Sequence, residues 1–195
     1  MDYQTYRELI DALMAEGKTT GNHQSAAMEH YTKMNVQRMR RLDKTTKLNE
    51  SLLSRLKTLD KKYIWLVITE AWCGDAAQIL PILHAISKQH EHIKLSLLLR
   101  DEHLTLMDAY LTDGSRSIPK LIAIDAESGE EIGTWGPRPA DAHQLVLDYK
   151  ADSNRPSYME FSKTLQLWYA KDRGVSIQSE LLEKLNEWEE VVLSV

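Results

Sequence analysis

Cysteine is almost absent from this chain: Cys73 is the only one among 195 residues. A lone cysteine excludes an intramolecular disulfide and any cysteine-rich zinc site. It also argues against an oxidising compartment. Phenylalanine occurs once, and the eight glycines and five prolines are scattered. No flexible linker therefore divides the chain into two large domains, and there is no internal repeat or low-complexity segment. Long apolar runs are missing as well; none approaches the roughly 18 residues of a membrane-spanning helix. The start, MDYQTYRELIDALM, carries an acid where a secretory leader has a basic region. A cytoplasmic protein with no membrane partner is expected.

Hydrophobic residues make up 43% and charged residues 27%, the balance of a folded globular chain. A chain of this length buries roughly 70% of its unfolded surface, so a core forms without disulfides or metal. The net charge of −5 speaks against nucleic acid as a partner. The charge is uneven, because residues 33–62 hold ten Lys/Arg against Asp43, Glu50 and Asp60. That segment can be a solvated helix face, meet an anionic ligand, or meet the acidic stretch at 180–190.

Apolar spacing predicts a short helix over 3–14, with Tyr6, Leu9, Ile10 and Leu13 on one face. Ser25 is the expected N-cap of a helix to about residue 41. Its expected buried stripe is Met28, Tyr31, Met34 or Asn35, Met39 and Leu42. A third helix follows with Leu48, Leu52, Leu53, Leu56 and Leu59. The period then changes. Tyr63–Thr69 and Ile93–Leu99 are near-continuous apolar runs, the mark of strands covered on both faces. Between them, 74–90 reads as a helix. A short helix is expected at 102–112, then strands at 118–125 and 131–135 joined by a hairpin-like turn. Pro139 suits the first turn of a helix to about Lys150. Helices at 157–171 and 178–192 follow, the last with Leu181, Leu182, Leu185, Trp188, Val191 and Val192 on one face. Strands joined through a helix run parallel, and hairpin strands antiparallel. The result is an α/β fold: a mixed sheet of about four main strands, flanked by helices.

The junction between the first strand and the following helix reads Glu70-Ala71-Trp72-Cys73-Gly74-Asp75-Ala76. A thiol at a helix start meets unpaired N–H groups and the positive dipole end, both of which favour thiolate. Gly74 permits a tight turn that keeps the sulfur accessible. Two neighbouring carboxylates, Glu70 and Asp75, oppose ionisation. The sign of the net shift stays open at this level.

Trp72-Cys73-Gly74 at such a junction resembles the active-site turn of the thioredoxin family. Pro81, inside the following helix, matches that family's kinking proline, and Ser117-Ile118-Pro119 resembles its Ile–cis-Pro element. Gly136 falls near another family glycine. The flanks Ile68–Asp75, Arg116–Lys120 and Trp135–Pro139 are similar to a bacterial branch with a helical N-terminal extension. The resemblance implies a thioredoxin-like core at 61–151. A helical extension at 1–60 and another at 152–195 would pack on the same domain. It also implies redox chemistry at Cys73, with Ile118, Pro119 and Trp72 facing a bound peptide.

The departures are as informative. Ala76 stands where the family has its resolving cysteine, Asp75 where it commonly has proline, and Val67 where it has a buried aspartate. An intramolecular dithiol cycle is impossible. The expected activity is a single-cysteine thiol–disulfide oxidoreductase. Its Cys73 would form a mixed disulfide with a protein or small-thiol substrate, resolved by an external reductant thiol. Glu70 would replace the missing acid as proton relay, and Gly74 and Asp75 would border the substrate. Arg116 and Arg138 would bind acidic groups on it. Each residue also has a plainer reading: Cys73 as a packed apolar group, Glu70 as a solvated charge, Asp75 as a helix-dipole partner, and both arginines as surface charge or as partners of Glu70 or Asp75. The other activity class is a non-catalytic peptide-binding module on the same fold. No cofactor is implied. The seven histidines show no metal spacing; His90 and His92 at i, i+2 chelate poorly. The polar loop Thr20–Gln24 is expected to fold over the thiol.

Overall fold

A computed structural model describes residues 1–191 of the chain. Four strands, β1 (Tyr63–Thr69), β2 (Ile93–Leu99), β3 (Lys120–Asp125) and β4 (Glu131–Trp135), form one sheet in the order β2-β1-β3-β4. β1 and β2 run parallel, with Tyr63 opposite Ile93 and Thr69 opposite Leu99. β3 is antiparallel to both β1 and β4. These are the expected directions, because helix α4 (Ala76–Ser87) links the parallel pair and a turn links β3 to β4. β3 begins at Lys120 rather than at 118. Pro119 has no N–H to give a ladder, and the Ile118–Pro119 bond before it is cis.

Three helices precede the sheet, each with a side-chain cap at its start. Asp2 caps α1 (Tyr3–Ala15), Ser25 caps α2 (Ala26–Thr45) and Asn49 caps α3 (Glu50–Leu56). The buried face of α2 differs from expectation: it is Thr32, Asn35, Val36 and Met39. Two of these are polar: Asn35 is an alternative of the expected stripe, whereas Thr32 lies outside it. They are buried because they are hydrogen-bonded. The Thr32 and Thr19 hydroxyls lie 2.6 Å apart, and Asn35 Nδ2 donates to the Ala71 carbonyl at 2.8 Å. Met28 and Tyr31 turn instead toward a cleft at the end of the sheet.

The helix expected at 102–112 is a 3₁₀ turn (Arg100–Glu102) and a short α5 (Leu104–Asp108). Past the sheet come α6 (Ala140–Ala151), α7 (Tyr158–Asp172) and α8 (Val175–Glu190). A capping box of Ser157 and Glu160 starts α7. The α7–α8 corner turns through Arg173 and Gly174, both left-handed. Ile177, Leu181, Leu185 and Trp188 of α8 are buried, with the Trp188 ring edge-on to Trp65 at 6.5 Å. The expected position of Val192 on this face lies outside the described residues. Buried apolar side chains from Tyr3 to Trp188 form one continuous core.

Part of the basic segment meets the chain's own acidic end. Lys61 Nζ donates to the carbonyls of Trp188 and Glu189 at 2.8 and 2.9 Å, which caps the C-terminus of α8. Arg55 lies 3.7 Å from the Glu189 carboxylate. Arg7, close to the N-terminus, pairs with Asp43. No helix of the described residues is long and apolar enough to cross a membrane.

Candidate functional site

The chain leaves β1 through a tight turn in which the Cys73 amide donates to the Glu70 carbonyl at 3.1 Å. α4 starts at Ala76, two residues later than expected, since Gly74 and Asp75 belong to the turn. Cys73 sits at the mouth of that helix, and the Ala76 amide donates to its Sγ at 3.5 Å. The thiol is nonetheless enclosed. Cys73 is 8% exposed, and its Sγ donates to the Ile118 carbonyl at 3.2 Å. Burial pushes its pKa up to about 12, reinforced by the Asp75 carboxylate. The Ala76 amide and the Arg138 charge act in the opposite direction. Two opposed effects are legible in the sequence, and the burial that decides between them is not.

Asp75 is buried and does not cap α4. Its Oδ2 meets Arg138 Nη2 at 2.7 Å, and its Oδ1 accepts from the Tyr169 hydroxyl at 2.8 Å. Burial raises the Asp75 carboxyl pKa, while Arg138 and Tyr169 pull it back. The helix-dipole reading of Asp75 is thereby replaced by an ion pair with Arg138. Arg116 is not brought to the turn. Its guanidinium grips Asp108 with two bonds, at 2.6 and 2.8 Å, on the surface.

Glu70 is fully buried rather than solvated. Its Oε1 accepts from the Asp101 amide at 2.9 Å, and its Oε2 has no partner. Burial raises the pKa, against the pull of Thr20 and the Asp101 amide. Its hydrogen bonds thus lead toward the loop after β2 and not to Cys73. The unfolded carboxyl releases its proton near 4.5, whereas the folded one holds it to higher pH. Its stabilising contribution is complete below that value and fades as pH rises toward the folded pKa. Glu70→Gln is therefore expected to stabilise the protein at pH 7. The gain should vanish near pH 4. Urea unfolding at both pH values checks it, and an equal effect at both would contradict a raised folded pKa.

Ile118 and Pro119 are both buried, so their backbone does not face an open groove as the resemblance implies. Gly136 lies against them with φ +102°, and a Cβ there would stand 2.6 Å from the Pro119 carbonyl oxygen. Gly136→Ala is expected to cost about 2–3 kcal/mol or more, from the left-handed backbone and the clash. A loss under about 1 kcal/mol in the same unfolding assay would show that the Pro119 segment yields easily.

Thr20, from the loop expected over the thiol, Asn35, an alternative of the expected α2 stripe, and Gln166, not singled out from sequence, hold the turn. Thr20 accepts from the Ala71 amide at 2.8 Å, so the 20–24 loop is anchored just ahead of the thiol. Asn35 holds the Ala71 carbonyl, and Gln166 of α7 lies over Gly74, bonded to Gln78 at 2.7 Å. Gly74 therefore leaves the turn covered. The available signal was polar residues interrupting otherwise apolar helix faces. Trp72 is half-buried, with the Arg100 guanidinium 4.7 Å from its ring centre.

Beside the turn opens a cleft of about 410 Å³ between α2, α6 and α7. Trp72, Gly74, Asp75 and Arg138 border it, and Arg38, Tyr31 and Phe161 are among the residues on its walls. Among the described residues no three His, Cys, Asp or Glu side chains converge as a metal site.

Comparison with known proteins agrees with the architecture. A crystal structure of an HIV epitope scaffold is 22% identical, with 96% of this chain and 99% of that one covered, at a TM-score of 0.55. A crystal structure of a protein of unknown function from Pseudomonas aeruginosa is 21% identical, covering 87% and 98%, at a TM-score of 0.48. At such identity the scaffold likeness concerns the fold alone. No curated protein matches. The family model described as Thioredoxin matches residues 21–155, more than half of the chain, and the protein belongs to the thioredoxin family.

Proposed function

We propose that this protein is a thioredoxin-fold recognition module. In this reading the Trp72–Asp75 turn and the adjoining cleft bind another molecule, and Cys73 serves as a packed thiol. The observation that carries the reading is the state of Cys73: enclosed, donating to Ile118, and with its pKa raised instead of lowered. A nucleophilic cysteine needs thiolate and access, and both are lacking here. The absent resolving cysteine, Ala76, points the same way. The cleft volume lies within the range of small-molecule sites.

A second reading keeps the single-cysteine oxidoreductase. It is favoured by the position of Sγ against the cis Ile118–Pro119 bond and by the family itself. It requires the turn to open before an external disulfide reaches the sulfur. The rate of Cys73 alkylation by iodoacetamide, measured against pH on the native protein, separates the two. Slow reaction without a midpoint below pH 9 supports recognition. Fast reaction with a midpoint below the ordinary thiol value of about 8.5 overturns it in favour of redox chemistry.

A further inference from the structure

Arg38 is a half-buried cation of the cleft wall that makes no ion pair with a carboxylate among the described residues. It is half-buried on α2, and its Nη1 donates to Asn35 Oδ1 at 2.7 Å. Among the described residues its Nε and Nη2 have no acceptor, and no carboxylate lies within ion-pairing distance. Burial lowers its pKa, Arg41 adds repulsion, and only Asp75 offsets them. Asp75 makes no hydrogen bond or ion pair with Arg38; its two oxygens meet Arg138 and Tyr169. Of the other cations on the wall, Arg138 is paired with Asp75, and Lys150 is exposed to solvent, where a charge contributes little to affinity.

The remaining wall is largely apolar or aromatic, with Ser117, Ser162 and Gln166 as its neutral polar members. Trp72, Tyr31, Phe161 and Leu165 surround the space in front of Arg38. Tyr149 stacks on Phe161 at 4.1 Å and stiffens that side. A guanidinium with free donors that shares a cleft with aromatic side chains is suited to a molecule with one charged and one apolar part. The Asp75 carboxylate on the same wall limits the charge. It repels a second negative charge within a few ångströms in a partly dry site.

Resting on the recognition reading above, we propose that the cleft binds a small organic monoanion, a carboxylate with an apolar or aromatic body, whose carboxylate docks on Arg38. The ring packs against Trp72 and Phe161, and the Arg38–Asn35 bond fixes the guanidinium plane. Because Asn35 also holds the Ala71 carbonyl, an occupied site is tied to the backbone of the Cys73 turn.

Titration of the full chain with 1-naphthoate, followed by NMR at the Trp72 indole and Gly74 amide, tests this. Saturable shifts at about millimolar concentration or below are expected, the affinity of a fragment-sized ligand. The neutral isostere 1-naphthamide, and inorganic phosphate, should bind about tenfold more weakly or worse, the loss that follows from removing one charge-assisted hydrogen bond or the apolar contact. Arg38→Gln should weaken naphthoate about tenfold and leave naphthamide unchanged. Lys150→Ala should change it less than about twofold. Equal binding of naphthoate and naphthamide overturns the proposal, and that comparison needs no variant. Tighter binding of phosphate overturns it too, as does the absence of saturation by about 10 mM. Absent binding together with slow alkylation of Cys73 removes this ligand class alone. Fast alkylation removes the recognition reading whatever the titration gives.

Discussion

Iodoacetamide is expected to modify Cys73 about three orders of magnitude more slowly at pH 7 than a free cysteine. The thiolate is the reacting species, and its fraction falls tenfold for each pKa unit above the pH. With the pKa near 12 instead of the ordinary ~8.5, the thiolate population falls by about that factor. Enclosure of Sγ at the Ile118 carbonyl adds to the protection. The single cysteine makes the readout unambiguous, since every labelled chain is labelled at Cys73. Unfolding in urea should restore the full rate. A native rate within tenfold of the unfolded one would mean that the turn opens readily, and the thiol would again be a candidate nucleophile.

Replacing Arg138 by methionine is expected to cost about 3–5 kcal/mol, the penalty for leaving one partner of a buried ion pair uncompensated. Arg138 and Asp75 are both largely buried, at 16% and 8% side-chain exposure. Methionine matches much of the arginine stem, so lost packing is a minor part of the loss. The double variant Asp75→Asn, Arg138→Met should recover a good part of it, because no buried charge is then left alone. Urea denaturation of the wild type, both single variants and the double variant yields the coupling. A single-variant loss under about 1 kcal/mol would show the pair to be effectively solvated. The same variants move the thiol in opposite directions. Asp75 raises the Cys73 pKa and Arg138 lowers it. Asp75→Asn should therefore bring the alkylation midpoint down, and Arg138→Met should move it up. General loosening of the turn would speed both, so the direction of the midpoint separates electrostatics from unfolding.

In this chain α7 reaches the turn through Gln166 over Gly74 and Tyr169 on Asp75. The Pro119 segment is packed beneath Gly136. The surface that the family resemblance assigns to a bound peptide is thus filled by the chain itself, and open space lies to one side, between α2, α6 and α7. The same turn that can serve as a redox centre becomes the floor of a pocket.

The four strands, their directions, the α4 crossover with its internal Pro81 and most helix ends are determined by the sequence alone. Each depends on neighbours a few residues apart: an alternation or a 3.6-residue period, a capping side chain, a proline that cannot continue a ladder. The thioredoxin turn and the Ile118–Pro119 element are legible for the same reason. What only the tertiary structure decided is the chemistry of that turn. Tyr169 stands 94 residues from Asp75 in the chain, and Asn35 stands 36 from Ala71. No local pattern announces that these groups meet. Thr32 on the buried face of α2 escapes an apolar count because it is buried by virtue of its partners. The ionisation of Cys73 depends on how much water reaches it, and distant helices folded over the turn set that quantity.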